Sequence, residues 1–502
     1  MRLITETYKN KIVGTIGCFD RVVLTGTIPY LCYPQGMTSY LYSQNIRIFD
    51  YSKYMEQFRK QIIKNAEALA KSINMEKVEY VPKSSIRKEK IISKVLEKRG
   101  MHPGLVHVLS AMETCSVYTP WHNKNTGKTY LKRVSGKCIH YYFYFIDEYL
   151  GLGFIRVQTW GPFKLQIYFN GHNVLKNKLD NASIKYSMID NAFDYIEDFK
   201  KAQELSDEID VDKMHKIFDK LANKYCGVHS AFNQVYHWSI TQIEYASDII
   251  FKQQKQLQSI YTDLLATAIH TVKPENIVTF FGKKLSKIYQ GEIGNNYNIR
   301  IEGRRIKHIM GKNSIKMYDK FSKILRIETT SNDISFFKHY RKVEHRNGDS
   351  EEKFASLKKN IYSLNALKKI LKASNNRYLE FISAIENNEV GRKRLQKITE
   401  SKVVNNRNFK GFNLFAKKDL SIFTAILKGS FNIYGFQNKD LRKTLPYLNS
   451  GQISRILRRL KVHGIIKRAG KTYKYYLTKL GKITIISGLK VKEMALVPLM
   501  NY

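Results

Sequence analysis

The chain has 502 residues, 43% of them hydrophobic, and its 85 Lys and Arg residues outnumber its 43 acidic residues, leaving a formal net charge of +42. This predicts a chain folded nearly throughout, with domains of about 100–200 residues, and the lack of a signal core or of about 20 consecutive apolar residues predicts a cytoplasmic prokaryotic protein without a membrane span. Such a charge repels itself unless a polyanion neutralises it, which favours a nucleic-acid partner over acidic small molecules or a membrane surface.

Residues 1–180 predict an α/β domain. Branched apolar residues alternate with Gly and Thr near the N-terminus, which indicates strands, and residues 52–74 and 84–99 have the spacing of basic amphipathic helices. A hairpin is predicted from residues 138–147 and 153–160. Its aromatic run, residues 141–145, favours core packing over stacking on unpaired bases.

Residues 181–292 predict a helical domain, and residues 293–350 predict a basic β-hairpin block. Helical periodicity covers residues 188–224 and continues through 239–272 as one long helix or two. In the hairpin block, a set of basic residues would follow a phosphate backbone without reading bases, or would form an ordinary solvated strip. This set consists of Arg304, Arg305, Lys307, His308, Lys312 and Lys316.

Acidic residues in two patterns suit phosphodiester chemistry. Asp319 and Glu328 lie on two predicted paired strands, where carboxylates can share a divalent metal. The segments SIKMYDK and LRIE resemble rolling-circle replication initiators, which implies Tyr318 as a nucleophile. The segment IGCFDRVVLTG resembles the first motif of RNase H-type nucleases at Asp20, with Glu328 in the second motif and Asp333 shortly after. These resemblances imply Mg²⁺-dependent cleavage or strand transfer by Asp20, Asp319 and Glu328; ordinary charges at strand ends are the alternative.

The cysteines and histidines predict no metal site. No cysteine pair has the close spacing of a zinc-ligand set, and their scatter argues against a disulfide framework. His172, in the segment NGHN, suits the start of a helix better than a ligand set. No phosphate loop or dinucleotide-binding loop is present, so no small-molecule cofactor is expected. The cysteines are Cys18, Cys32, Cys115, Cys138 and Cys226.

Residues 351–405 predict a helical connector that ends in a basic linker, and residues 485–502 predict an apolar tail. Between them, residues 406–484 have the order helix, helix, turn, helix and hairpin. The last of these helices has apolar residues at spacings of three and four, which predicts one buried face. Ser450 is its expected N-cap and Gly464 its expected C-cap.

The outer face of this helix and the hairpin after it are the expected nucleic-acid contacts. Gln and Arg bond base edges, and Arg and Lys reach phosphates. The residues are Gln452, Arg455, Arg458, Arg459 and Lys461 on the helix, and Lys467, Arg468, Lys471, Tyr473 and Lys474 on the hairpin. This segment resembles the winged helix of MarR-like regulators, which implies binding to duplex DNA. A helical domain with a solvated basic face is the alternative.

The whole chain resembles a family of uncharacterised bacterial proteins with a C-terminal winged helix, on motifs such as GCFDRVVLTGTIP, VQTWGPF and GKTYKYYLTKLG. The expected fold is α+β and multidomain, with an N-terminal mixed α/β region, a central helical region, a β-hairpin block and the winged helix. The expected function is binding and processing of DNA or a structured RNA, as a nuclease, transposase or replication initiator of a mobile element. The alternative is a non-enzymatic transcriptional regulator or ribonucleoprotein scaffold.

Overall fold

The computed structural model describes residues 3–285, 289–300, 303–345, 347–383, 398–413, 416–470 and 472–491. The fold is mixed α/β, with a large mixed sheet and several two-stranded hairpins. Across the described residues, no helix is both long enough and apolar enough to cross a bilayer.

The strands vary widely in length, and the longest run through the N-terminal half of the chain. They are β1 (Ile12–Thr27), β2 (Glu79–Tyr80), β3 (Gly104–His122), β4 (Thr129–Asp147), β5 (Gly151–Gln158), β6 (Leu165–Asn170), β7 (Tyr186–Ile189), β8 (Ala192–Ile196), β9 (His237–Phe251), β10 (Ile293–Arg300), β11 (Gly303–Met310), β12 (Asn313–Lys320), β13 (Ile324–Ser331), β14 (Lys338–Glu344), β15 (Ser350–Ser356), β16 (Lys402–Val404), β17 (Arg407–Phe409), β18 (Ile466–Arg468) and β19 (Tyr475–Leu477). The separate hairpins are β7–β8, β14–β15, β16–β17 and β18–β19.

The helices are concentrated between the strands and at the C-terminal end. They are α1 (Ile4–Thr7), α2 (Pro34–Ser43), α3 (Tyr51–Lys71), α4 (Lys88–Arg99), α5 (Gly171–Asn181), α6 (Phe199–Asp207), α7 (Val211–Tyr225), α8 (Gln254–Thr271), α9 (Pro274–Phe280), α10 (Leu364–Ser383), α11 (Lys417–Ile426), α12 (Gly429–Tyr434), α13 (Asn438–Thr444), α14 (Ser450–Val462) and α15 (Lys479–Val491).

The chain divides into two compact units. The first unit comprises residues 1–16, 246–330 and 370–502, and the second comprises residues 17–245 and 331–369. Strands β1 and β9 contribute residues to both units. The predicted boundaries near residues 180 and 292 therefore do not coincide with the ends of these units.

In the second unit, the strand order is β1-β6-β5-β4-β3-β2. All neighbours are antiparallel except β2 and β3. The β3–β4 hairpin is paired from Gly104 and Ile146 to His122 and Thr129. The aromatic run at residues 141–145 is buried throughout, which confirms the core packing expected from its sequence.

In the first unit, the strand order is β10-β11-β12-β13-β9. Every residue of β13 is buried, because this strand lies between β12 and β9. Helices α11 to α15 and the β18–β19 hairpin form a C-terminal segment, residues 416–491, with its own apolar core. That core includes Ile422, Phe423, Phe436, Leu441 and Ile465.

The prediction of helix through residues 239–272 is wrong in its first half, where β9 runs. Trp238, Ile240, Ile243 and Tyr245 are buried, as are Ile249 and Ile250. In this half of β9 the buried apolar residues alternate with more exposed polar ones, but two polar residues in succession, Thr241 and Gln242, place Ile243 three positions after Ile240, which matches helical spacing. Only α8 after it is helical.

Two short hairpins replace other expected structures. Residues 186–196 form β7–β8, although residues 188–196 were predicted as helix, and Asp190 lies at φ 52° in the connecting turn. The expected linker after residue 401 forms β16–β17, with Asn405 and Asn406 at positive φ. Asn tolerates this left-handed conformation, which a turn between paired strands requires. Residues 492–502 of the predicted apolar tail lie outside the described residues.

Candidate functional site

Local capping sets both ends of α14, the helix expected to contact bases. Asn449 is its N-cap: the Asn449 side chain accepts a hydrogen bond from Gln452 N at 2.9 Å, and Gln452 Oε1 accepts one from Asn449 N at 2.9 Å. This arrangement is a capping box, and its N-cap lies one residue before the expected Ser450. Gly464 follows the helix at φ 72°, a conformation that glycine adopts without strain.

The two sides of α14 differ in burial and charge. The apolar side packs into the C-terminal core, as its spacing predicted; it consists of Ile453, Leu457 and Leu460. Arg455, Arg458 and Lys461 are exposed on the other side. They recur at every third position, so they form one basic stripe along the helix.

Little negative charge lies near this stripe in the sequence. Residues 441–492 contain neither Asp nor Glu. The preceding helix α13 adds exposed Arg442 and Lys443. Asn438 Nδ2 at the start of α13 donates to Ser450 O at 3.0 Å, so the two basic helices are joined directly.

Arg459 is a sequence-predicted contact that packs inward instead. Its guanidinium carbon lies 3.7 Å from the centroid of the Phe412 ring, and its NH1 lies 3.1 Å from Asp419 Oδ1. It also donates to the backbone carbonyls of Lys410 and Gly411. Donors on all three of its nitrogens are used internally, so Arg459 stabilises the segment and is a poor candidate for binding phosphate.

The β18–β19 hairpin continues the basic surface with an aromatic ring. Lys467 and Arg468 are exposed, and Tyr473 is 77% exposed. The Arg468 guanidinium lies 5.0 Å from the centroid of the Tyr473 ring. Lys474 is half-buried, and Lys471 lies outside the described residues. An exposed ring beside a guanidinium suits stacking on a base or a sugar.

The basic strip predicted in residues 304–316 is interrupted by burial. His308 is buried, with Nδ1 2.6 Å from Asn295 Oδ1 and Nε2 3.0 Å from Tyr378 Oη. Burial lowers the pKa of His308 to about 3, so the ring is neutral near pH 7. His308 therefore lies inside the protein, on a strand between β10 and β12, and not on the surface where the phosphate contact was expected.

The other members of this strip differ in exposure. Lys312, in the turn between β11 and β12, is exposed, whereas Arg304, Arg305, Lys307 and Lys316 are half-buried. The Arg304 side chain also donates to a threonine of α8 at 2.9 Å. The strip is therefore less continuous than its sequence suggested.

Glu328 is a buried carboxylate with several donors around it in the first unit. It is 2% exposed and accepts hydrogen bonds from Lys316 Nζ at 2.5 Å and from Tyr318 Oη at 2.8 Å. Arg326, two residues earlier on β13, forms two 2.7 Å hydrogen bonds with Asp248 on β9. This part of the sheet therefore buries paired charges rather than exposing them.

Asp319 points away from Glu328. It follows Tyr318 on β12, and successive side chains of a strand point to opposite faces. Asp319 Oδ1 accepts a hydrogen bond from Arg304 N at 3.2 Å, and burial raises the pKa of the Asp319 carboxyl. The two carboxylates predicted on paired strands therefore face opposite sides of the sheet, which separates them as ligands of one ion.

Asp20 lies on β1 in the second unit, where it is 8% exposed among polar side chains. Its Oδ1 lies 3.1 Å from Asn170 Nδ2, 3.4 Å from Asn191 Nδ2 and 3.2 Å from His172 Nδ1. Asn170 also caps α5 by accepting from His172 N at 2.8 Å, as the NGHN segment predicted. A carboxylate oxygen of Glu244, on β9, lies within 4.8 Å of Asp20.

Glu244 was missed by the sequence analysis, because a helix was predicted there and an acid on a helix is usually solvated. The missed signal is an acidic residue inside a run of β-branched and aromatic residues, which is unusual for a strand with both faces covered. Glu244 and the predicted Asp20 thus form a pair of neighbouring carboxylates, a grouping that could hold a divalent cation.

Comparison of the chain with models of protein families, with curated proteins and with solved structures found no match. The resemblances to winged-helix regulators, replication initiators, RNase H-type nucleases and the uncharacterised bacterial family therefore stay predictions.

Proposed function

We propose that this protein binds duplex nucleic acid through its C-terminal segment, used as a winged helix. In this proposal α14 lies in the major groove as the recognition helix, and the β18–β19 hairpin lies along the neighbouring backbone as the wing. The observation that carries the proposal is the exposed stripe of Arg455, Arg458 and Lys461 on a helix whose opposite side is packed.

The charge of the whole chain supports the same partner. A formal charge of +42 exceeds what a simple repressor needs, since such a footprint neutralises about 6–10 phosphates. Cations elsewhere in the chain would hold a longer stretch of DNA or a structured RNA. A mobile-element protein with a long footprint is compatible with this balance.

The test is binding of a short fluorescent duplex of random sequence, followed by anisotropy over a range of salt concentrations. The Arg455→Ala/Arg458→Ala variant is expected to weaken binding by about 1–3 kcal/mol for each lost base contact. Lys53→Ala/Lys60→Ala is the matched control, since it removes the same charge from exposed positions on α3. Equal losses of affinity in the two variants would show that only the net charge matters, not the position of the arginines. Absence of duplex binding by the wild-type protein would contradict the proposal.

A second candidate function is Mg²⁺-dependent cleavage or strand transfer, favoured by the proximity of Asp20 and Glu244. The buried carboxylate of Asp20 and the half-buried carboxylate of Glu244, with two amides beside Asp20, offer the oxygen ligands that Mg²⁺ prefers. In this candidate function Glu328 would be a further catalytic carboxylate, as the RNase H-type motif predicts. Asp319 and Tyr318 would take part as the initiator-like motif predicts, with Tyr318 as the nucleophile.

The second candidate is tested by incubating labelled single and double strands of DNA and RNA with the protein and Mg²⁺. Asp20→Asn, Glu244→Gln and Glu328→Gln are expected to abolish any cleavage, whereas Asp212→Asn, an exposed acid on α7, is the control. Binding without cleavage by the wild-type protein would favour the transcriptional regulator or ribonucleoprotein scaffold.

A further inference from the structure

Two cysteines and a histidine converge on the β3–β4 hairpin of the second unit. Cys115 Sγ lies 3.0 Å from Cys138 Sγ, and Cys138 Sγ lies 3.9 Å from His140 Nδ1. One ligand atom from each of the three residues lies within 4.8 Å of the other two. Cys115 and His140 are buried, and Cys138 is half-buried.

The hairpin register produces this convergence. Glu113 pairs with Cys138 and Cys115 pairs with Gly136, so the cysteines are diagonal neighbours on one face of the two strands. Because Gly136 has no side chain opposite Cys115, the nearest side chain across the strands is that of Cys138. His140 is two residues further along β4 and points to the same face.

Two thiol groups and one imidazole suit a particular class of metal ion. Thiolate and imidazole are the ligands that Zn²⁺ prefers, and three protein ligands with a water in the fourth position are common around zinc. At Zn–S distances of about 2.3 Å, two sulfurs of a tetrahedral site are about 3.8 Å apart. The sulfurs here are 3.0 Å apart, so rotamer adjustments of less than about 1 Å would admit the ion.

We propose that Cys115, Cys138 and His140 bind one Zn²⁺ ion that ties β3 to β4. Two thiolates balance the charge of the ion locally. The nearest carboxylate on this face, Glu113, is occupied by Lys88 at 3.3 Å and by Arg156 at 2.6 Å. This site is independent of the nucleic-acid proposal, because none of its ligands belongs to the C-terminal segment.

A Cys115–Cys138 disulfide is the rival use of the same pair. It requires the sulfurs to approach to about 2.05 Å, and it does not use the imidazole of His140, whose Nδ1 lies 3.1 Å from Cys138 O. The zinc site uses all three residues, so we favour it.

The spacing of the ligands explains why the sequence did not reveal the site. Cys115 and Cys138 are 23 residues apart, on two strands joined by a long hairpin. Cys138 and His140 lie two residues apart, but zinc-ligand patterns read from sequence combine two such pairs, and no second Cys or His lies within a few residues of Cys115. Only the register of the strands brings these two cysteines together.

The test measures zinc in the purified full-length protein by mass spectrometry and follows Co²⁺ binding by its thiolate charge-transfer band. One equivalent of zinc and a charge-transfer band are expected in the wild-type protein. Cys115→Ser, Cys138→Ser and His140→Gln are each expected to lower Zn²⁺ affinity at least tenfold in competition with a chelating dye. Cys32→Ser, a cysteine outside the trio, should behave as wild type.

Three results would overturn the proposal. They are a wild-type protein that takes up neither Zn²⁺ nor Co²⁺ under reducing conditions, undiminished zinc in all three variants, and a Cys115–Cys138 disulfide that persists in the protein purified with reductant. Circular dichroism of each variant separates loss of the ion from loss of the fold. Cys138→Ser is the most informative variant, since it changes a half-buried side chain by a single atom.

Discussion

Two regions of the first unit use the same residue types in opposite ways. Along α14, Arg455 and Arg458 are exposed, and no described acidic side chain forms an ion pair with either. On β12 and β13, Arg326 and Lys316 are paired with Asp248 and Glu328, and Arg326 is fully buried. Burial, rather than the number of cations, therefore decides which positive charges are available to a polyanion.

The same contrast occurs between neighbours on one helix. Arg458 is exposed, whereas Arg459 packs on Phe412 and pairs with Asp419. A helix rotates by about 100° per residue, so adjacent side chains face different surroundings. The contrast between exposed and internal cations can therefore be tested with matched pairs of variants.

The largest effect is expected from Arg326→Ala, which leaves the carboxylate of Asp248 buried without its main partner. We expect a loss of about 3–5 kcal/mol in the free energy of unfolding, measured by urea denaturation. Arg455→Ala, at an exposed position, should change this free energy by less than about 0.5 kcal/mol. Similar losses of free energy of unfolding in the two variants would contradict the distinction between buried, paired cations and exposed ones.

His308 should make stability depend on pH. Burial lowers its pKa to about 3 in the folded chain from 6.5 in the unfolded chain. Between these pH values the imidazole is protonated in the unfolded state and neutral in the folded state. Its contribution to stability is therefore complete above pH 6.5 and lost as the pH falls toward 3. Urea denaturation at a series of pH values should give a shallower decline for His308→Gln than for the wild-type protein; parallel declines would contradict this burial.

Arg459→Ala should destabilise the C-terminal segment by about 1–3 kcal/mol, because Asp419 and two backbone carbonyls lose their donor. Its neighbour variant Arg458→Ala should leave stability nearly unchanged and instead weaken duplex binding. Urea denaturation and anisotropy on both variants give the comparison. The reverse pattern would show that the two sides of α14 are assigned incorrectly.

The smallest effect is expected from Lys467→Ala on the hairpin. A lost phosphate contact should weaken binding equally for all duplex sequences and reduce the slope of log affinity against log salt by about 1. Anisotropy titrations with two unrelated duplexes measure both quantities. A loss confined to one duplex would instead indicate that Lys467 reads bases.

Local sequence signals predicted many elements correctly. The spacing of Ile453, Leu457 and Leu460 predicted the buried side of α14, and strand alternation predicted β11 to β13. The prediction failed at β9, where two successive polar residues interrupt the alternation and leave Ile240 and Ile243 at helical spacing. The failure at β9 also concealed Glu244.

The sequence by itself determined the excess of positive charge, the order of α11, α13, α14 and the β18–β19 hairpin, and the identity of Asp20 as a carboxylate in an apolar strand. Tertiary structure decided which of the expected nucleic-acid contacts are exposed. Arg458 is exposed, whereas Arg459 and His308 pack inside the protein. Tertiary structure also decided which distant residues meet, such as Cys115 with Cys138. The physical reason is that side-chain periodicity is local, whereas burial and pairing depend on strand register and packing between segments far apart in the chain.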